Sequence, residues 1–123
     1  MSETVLVRSI LDALAAKGYW SWRENSGLTV FSAAGTHSRR VVRGAPPGTP
    51  DIFVVLPGGK LGGIECKTAK GRQNPNQKAW QKKAEAHGVR YGIARTVSEG
   101  LALVEAWTKP RASAPEVPAA NGT

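Results

Sequence analysis

The chain has 123 residues, with 17 Lys and Arg against 9 Asp and Glu, a formal charge of +8. One domain suits this length; 41% hydrophobic residues exclude a wholly disordered basic tail, and the single Cys66 excludes a disulfide framework or a cysteine-rich zinc site. No apolar run approaches the ~18 residues of a membrane span and the opening residues do not read as a signal peptide, so a cytoplasmic setting is expected, with a polyanion such as nucleic acid as partner.

The first element reads as a helix: Ser2 can cap it, and Leu6, Ile10 and Leu14, with Val7 and Leu11 beside them, form one apolar stripe that Gly18 ends. Strands follow at Tyr19–Glu24 and Leu28–Ser32, joined by the turn-prone Asn25-Ser26-Gly27, and a short basic strand holds Arg39, Arg40 and Arg43. Gly44 to Pro50 is a loop. Asp51–Leu56 reads as a strand buried on both faces, Pro57-Gly58-Gly59-Lys60 as a turn, and Leu61–Lys67 as the returning strand. Asn74 and Pro75 open a second helix, which Gly88 closes. Val89–Arg95 is a further strand, and Ser98 caps a last helix carrying Leu101, Val104 and Trp107. From Lys109 the sequence KPRASAPEVPAANGT lacks any apolar period, so the expected domain is 1–108 and the expected disordered tail 109–123. The whole reads as α/β, a mixed sheet flanked by helices.

The sharpest feature is the hairpin between Asp51 and Lys67. Asp51 and Glu65 are symmetric about Gly58, and in that register they are cross-strand neighbours with Cβ atoms about 5 Å apart. Lys67, two residues on, leaves the same sheet face. A two-residue Gly58-Gly59 turn would shift the pairing by one and send Asp51 to the other face. Two adjacent carboxylates repel each other unless a cation lies between them, and a hard ion such as Mg²⁺ suits the pair, with the Cys66 carbonyl as a further oxygen donor. Lys67 then serves a charged transition state or orients the attacking water. The plain alternative is two carboxylates at exposed strand ends and a weak surface ion pair with Lys67.

Pro50-Asp51 followed by Glu65-Cys66-Lys67 resembles the core motif of the PD-(D/E)XK nucleases. With Trp22-Arg23-Glu24-Asn25-Ser26-Gly27, Gly48-Thr49-Pro50-Asp51, Gly63-Ile64-Glu65-Cys66-Lys67-Thr68, Gly71-Arg72, Gln77 and Trp80, the chain is similar over residues 3–107 to the VRR-NUC branch, in particular its stand-alone phage and bacterial members. The resemblance implies a restriction-endonuclease-like fold in the order α-β-β-β-α-β-α. It also implies Mg²⁺- or Mn²⁺-dependent hydrolysis of DNA phosphodiesters, selectivity for Holliday junctions or other branched DNA, and a homodimer. By the same resemblance Asp51 and Glu65 hold the metal, Lys67 is the catalytic lysine and Gln77 the following glutamine. Glu3 matches an acidic residue of the first helix by position only. Glu24 departs from the pattern, which has a neutral residue before Asn25.

The other candidates have competing explanations. Gln77 lies three residues after the cap Asn74 and can close a capping box, yet with Trp80, Ala84 and His87 it shares an inward helix face ten residues after Lys67. Glu3 in a first helical turn is favoured by the helix dipole alone. Lys70, Arg72 and Lys78 after the motif, with Arg39, Arg40 and Arg43 before it, read as a phosphate track that includes Arg23, or as ordinary solvated faces. Trp20, Trp22, Trp80 and Trp107 read as core before base-stacking platforms, His37 and His87 lack ligand spacing, and Cys66 reads as a small buried residue. A rival from another class is a basic nucleic-acid-binding module on the same fold without catalysis. Metal dependence separates the two.

Overall fold

The computed structural model describes residues 1–24, 28–32 and 39–109, with backbone alone for 28–32 and 39–43. The turn expected at 25–27, His37 and the tail from 110 onward lie outside the described residues, as do the side chains of Arg39, Arg40 and Arg43.

Helix α1 (Glu3–Ala16) begins where the Ser2 hydroxyl accepts the Val5 N–H, and buries Leu6, Val7, Ile10 and Leu14. Strands β1 (Trp20–Arg23), β4 (Ile52–Val55), β5 (Leu61–Cys66) and β6 (Arg90–Ala94) form one sheet in the order β1-β4-β5-β6. Neighbours are antiparallel except β5 and β6, whose parallel pairing requires the crossover supplied by α2 (Pro75–Ala86). Helix α3 (Val97–Thr108) completes the chain order α-β-β-β-α-β-α for the sheet and its helices. Between β1 and β4, strands β2 (Leu28–Ser32) and β3 (Arg39–Arg43) pair with each other as an antiparallel ribbon.

The period of two along the strands sorts the layers. Ile52, Val54, Ile64, Cys66 and Ala94 point to one face and pack with Leu6, Ile10, Leu14 and Val104 of α1 and α3. The helices pack tightly where Gly100 meets the Ile10 side chain and where Gly92 meets the Leu103 side chain, positions at which a Cβ would collide. The opposite face carries an aromatic row, Trp20, Trp22, Phe53, Trp80 and Tyr91, with successive ring centroids 5.8, 6.0, 5.8 and 6.0 Å apart. Among the described residues one helix, α2, covers that face, so Phe53 and Val55 stay half-buried and β4 is not buried on both faces as its apolar run suggests.

Three further expectations are corrected. The cap of α3 is Thr96, not Ser98: its hydroxyl accepts the Glu99 N–H, while the Glu99 carboxylate accepts the Arg95 N–H. That earlier start lets Val97 pack against the core. Trp20 is 70% exposed, because it ends the aromatic row on an edge strand with no described helix above it. His87, at the C-cap of α2, faces solvent and its Nδ1 lies 2.8 Å from the Lys83 carbonyl, so the inward face of α2 consists of Gln77, Trp80 and Ala84. No described helix is long and apolar enough to cross a membrane.

Candidate active site

The β4–β5 register pairs Ile52 with Ile64 and Phe53 with Gly63, symmetric about Gly58. Pro57, Gly58 and Gly59 form a three-residue turn closed by the Leu56 N–H donating to the Lys60 carbonyl at 2.7 Å. Gly58 and Gly59 both take positive φ there, 82° and 76°. One step beyond Ile52–Ile64, Asp51 stands opposite Glu65. On its other side Asp51 meets Glu24: the β1–β4 register continues one step, and the Glu24 N–H donates to the Asp51 carbonyl at 2.8 Å.

Asp51 is delivered by a docked loop. Gly48, at φ 88°, passes so close to the first turn of α2 that a Cβ would overlap the Asn76 carbonyl. Thr49 is buried, with its hydroxyl donating to the Pro46 carbonyl at 2.6 Å. Pro50 then lies on Gly63 of β5, where a Cβ would come within 2.7 Å of the proline ring. The Cys66 N–H donates to Asp51 Oδ2 at 2.8 Å, which fixes one carboxylate oxygen and leaves Oδ1. In a strand a residue's N–H and C=O leave on the same side, so the Cys66 carbonyl also points toward the Asp51 edge.

Glu65 is only 3% exposed, and its Oε2 is buried without a hydrogen-bond partner among the described residues. Its pKa is pushed up to about 9. Burial is the main cause. The adjacent Asp51 carboxylate adds to it through a shared hydrogen bond and repulsion, Glu3 contributes less, and Lys67 opposes the rise. Lys67 extends the β5–β6 pairing by donating its N–H to the Ala94 carbonyl, and its side chain leaves the face that carries Glu65. The Cys66 side chain lies on the other face, in the core. Burial, with Asp51 and Glu65 nearby, pushes its thiol up to about 12, so it is neither a nucleophile nor a thiolate ligand near neutral pH.

The fold therefore brings Asp51, Glu65 and Lys67 to one end of one sheet face, with Glu3 near enough to raise Glu65. Gln77 is buried and makes the capping box: it accepts the Asn74 N–H through Oε1, and its own N–H donates to Asn74 Oδ1. Lys70, Arg72 and Lys78 are exposed beyond the motif, whereas Arg23, on the α1 side of β1, leaves the face opposite Trp22. Sequence reasoning left the place of Glu24 open and missed Arg95. Glu24 completes a row with Asp51 and Glu65 across three strands, and its Oε1 accepts the Trp22 indole N–H at 2.7 Å. Arg95 stands beside Lys67 across the parallel pair and binds the Thr68 and Gly71 carbonyls. Neither is visible without knowing which strands pair.

No group of three or more His, Cys, Asp and Glu suited to a metal occurs among the described residues. A cation placed here would have two carboxylates and the Cys66 carbonyl as its protein ligands, with water completing the set. All are hard oxygens, the set that Mg²⁺ or Mn²⁺ takes and that zinc does not favour. The partnerless Oε2 of a buried glutamate beside a second carboxylate fits such an ion, since an adjacent positive charge relieves both its desolvation and its repulsion.

No family model matches the chain, and no curated protein matches its sequence. A solved structure described as a VRR_NUC domain matches it with a TM-score of 0.57 at 19% identity, over 84% of this chain and 94% of that one. At that identity the likeness speaks for the backbone, and it agrees with the mixed sheet and helix order expected from the motifs. The chain has the fold of a VRR_NUC domain.

Proposed function

We propose that this protein is a divalent-cation-dependent endonuclease that hydrolyses DNA phosphodiester bonds. The observation that carries the reading is the buried, partnerless Glu65 carboxyl set against Asp51 and Lys67 at one strand end. A +8 chain has no structural use for two carboxylates in contact, one of them buried, unless a cation and an anionic substrate meet there. The likeness to a structure described as a VRR_NUC domain supports the same reading.

Asp51, Glu65 and the Cys66 carbonyl would hold Mg²⁺ or Mn²⁺, which supplies Lewis acidity and a lowered pKa for a nucleophilic water. The Cys66 N–H keeps Asp51 oriented with one oxygen free. Lys67 places an ammonium where charge develops on the phosphoryl oxygens. Gln77, with its oxygen held in the helix cap, offers an amide N–H₂ at the entrance, and Glu3 adds negative charge that favours the bound cation. Lys70, Arg72, Lys78 and the arginines at 39, 40 and 43 serve the backbone of the DNA, while Arg23, on the opposite face, stands outside that track. For branched substrates such as Holliday junctions, and for a homodimer with two sites, the support is the resemblance of the motifs.

The test is cleavage of labelled four-way junction, flap, duplex and single-stranded DNA in Mg²⁺, Mn²⁺ or EDTA, with Lys67→Ala as control. Metal-dependent cuts that the variant abolishes while still binding DNA are the expected result. Binding without cleavage in either metal refutes the enzyme and leaves a binding module.

A further inference from the structure

Arg95 is the first residue past β6, beside Lys67. Its Nη1 donates to the Thr68 carbonyl at 2.6 Å and to the Gly71 carbonyl at 2.7 Å. The loop so held packs onto the motif lysine, since a Cβ at Gly71 would touch the Lys67 stem at 3.3–3.4 Å. An open cleft of about 760 Å³ runs along the loop, lined by Ala69, Lys70, Gly71, Arg72, Gln73 and Arg95. A second one, of about 410 Å³, lies on its other flank and shares Lys70 and Arg95.

Among the described residues, every charged one lining the larger cleft is a cation. Among the described residues the ion pair within 4.0 Å is Lys17–Glu105, remote from this loop. The nearby Glu99 carboxylate is engaged with the Arg95 backbone N–H. A guanidinium has five N–H donors, and the two carbonyls use the Nη1 pair, which leaves three at the cleft wall. An arginine locked in this way loses little further freedom when it binds a planar oxyanion.

We propose that Arg95, Lys70 and Arg72 form a phosphate-binding notch for an internal phosphodiester of the DNA strand, adjacent to the one that Lys67 faces. Arg95 is both the clamp of the loop and a direct phosphate contact. The proposal rests on the nucleic-acid reading above but not on catalysis.

The test is the salt dependence of duplex DNA binding in EDTA, where no cleavage intervenes, for ends carrying 5′-hydroxyl or 5′-phosphate. Each lost phosphate contact lowers the steepness with which log K falls against log[NaCl] by about 0.9. The exposed pair Lys70→Ala/Arg72→Ala, which leaves the fold untouched, lowers it by about 2, and adding Arg95→Gln lowers it by about 0.9 more. An unchanged slope in the double variant overturns the notch. An unchanged slope on adding Arg95→Gln reduces Arg95 to a clamp and overturns its contact role. Effects confined to 5′-phosphorylated ends overturn the internal site in favour of a terminal phosphate. Wild-type protein that shows these slopes but never cuts DNA in Mg²⁺ or Mn²⁺ refutes the nuclease alone; protein that binds no DNA refutes both.

Discussion

Replacing Glu65 by Gln isolates the charge at the centre of the site. The folded protein holds a proton on Glu65 up to about pH 9, whereas the unfolded chain releases it near 4.5. Between those values the folded state binds one more proton, so its stability falls as pH rises, by about 1.4 kcal/mol per pH unit. The sign is opposite to that of a salt-bridged carboxylate: stability is fullest below pH 4.5 and the penalty is complete above about 9. From pH 6 to 8, without metal, this site alone costs about 3 kcal/mol, or roughly 10–20 °C in Tm for a domain of this size. Gln keeps the volume and abolishes the slope, while its partnerless amide costs about 1–3 kcal/mol. Counted from pH 4.5, the wild-type penalty at pH 8 is about 5 kcal/mol, so in EDTA the Glu65→Gln protein is more stable there by about 2–4 kcal/mol. Mg²⁺ or Mn²⁺ reverses the order by stabilising wild type only. Urea melts followed by circular dichroism at pH 5 to 8, with EDTA or metal, measure both effects. Parallel pH slopes for the two proteins would refute the buried proton, and equal stabilisation by metal would refute Glu65 as a ligand.

Gly63→Ala drives a methyl into Pro50 and Gly62→Ala drives one into Trp107, on opposite faces of the same strand. Each costs about 1–3 kcal/mol by overpacking, but only Gly63→Ala displaces Asp51. Chemical denaturation with parallel cleavage assays should show two destabilised proteins, of which the Gly62 variant keeps its rate at temperatures where it is folded. Gln77→Ala breaks the capping box and loses about 1 kcal/mol. Gln77→Glu keeps the capping oxygen but lacks the N–H₂ donor, so its stability is retained while cleavage falls; full activity in that variant shows that Gln77 only caps.

The helix starts at Ser2 and Asn74-Pro75 were legible because a cap is a local transaction between residues three apart. Asp51 and Glu65 were legible for a related reason: a tight hairpin joins them, and its register has only two candidates. Arg95 lies 28 positions from Lys67 and becomes its neighbour only through a parallel crossover, which leaves no short-range trace. Glu24 was noticed as a departure from the motif, but its place beside Asp51 depends on pairing β1 with β4 across the β2–β3 ribbon. Trp20 misled because its alternation with Trp22 reports a shared face, not whether anything covers that face. Thr96 and Ser98 are both good caps, and burial of Val97 favours the earlier start, a tertiary effect.

Pro57 decides between the two hairpin registers. The two-residue alternative closes on Pro57 and Lys60, but Pro57 has no N–H to donate to that pair. Shifting closure by one residue gives the donor to Leu56, whose N–H reaches Lys60. The same step puts Ile52, Val54 and Leu56 on the core face and Asp51 on the face of Glu65. A slip of one would turn the apolar residues of β4 out of the core and Asp51 into it, so the packing that stabilises the sheet also enforces the approach of the two carboxylates. That explains how a site whose charges repel can persist in the folded chain. Asp51 and Glu65 cannot separate by re-registering the hairpin without exposing Ile52 and Val54, which are now fully buried and worth about 1.5–3 kcal/mol each, and the remaining way to relieve the repulsion is a proton or a cation between them.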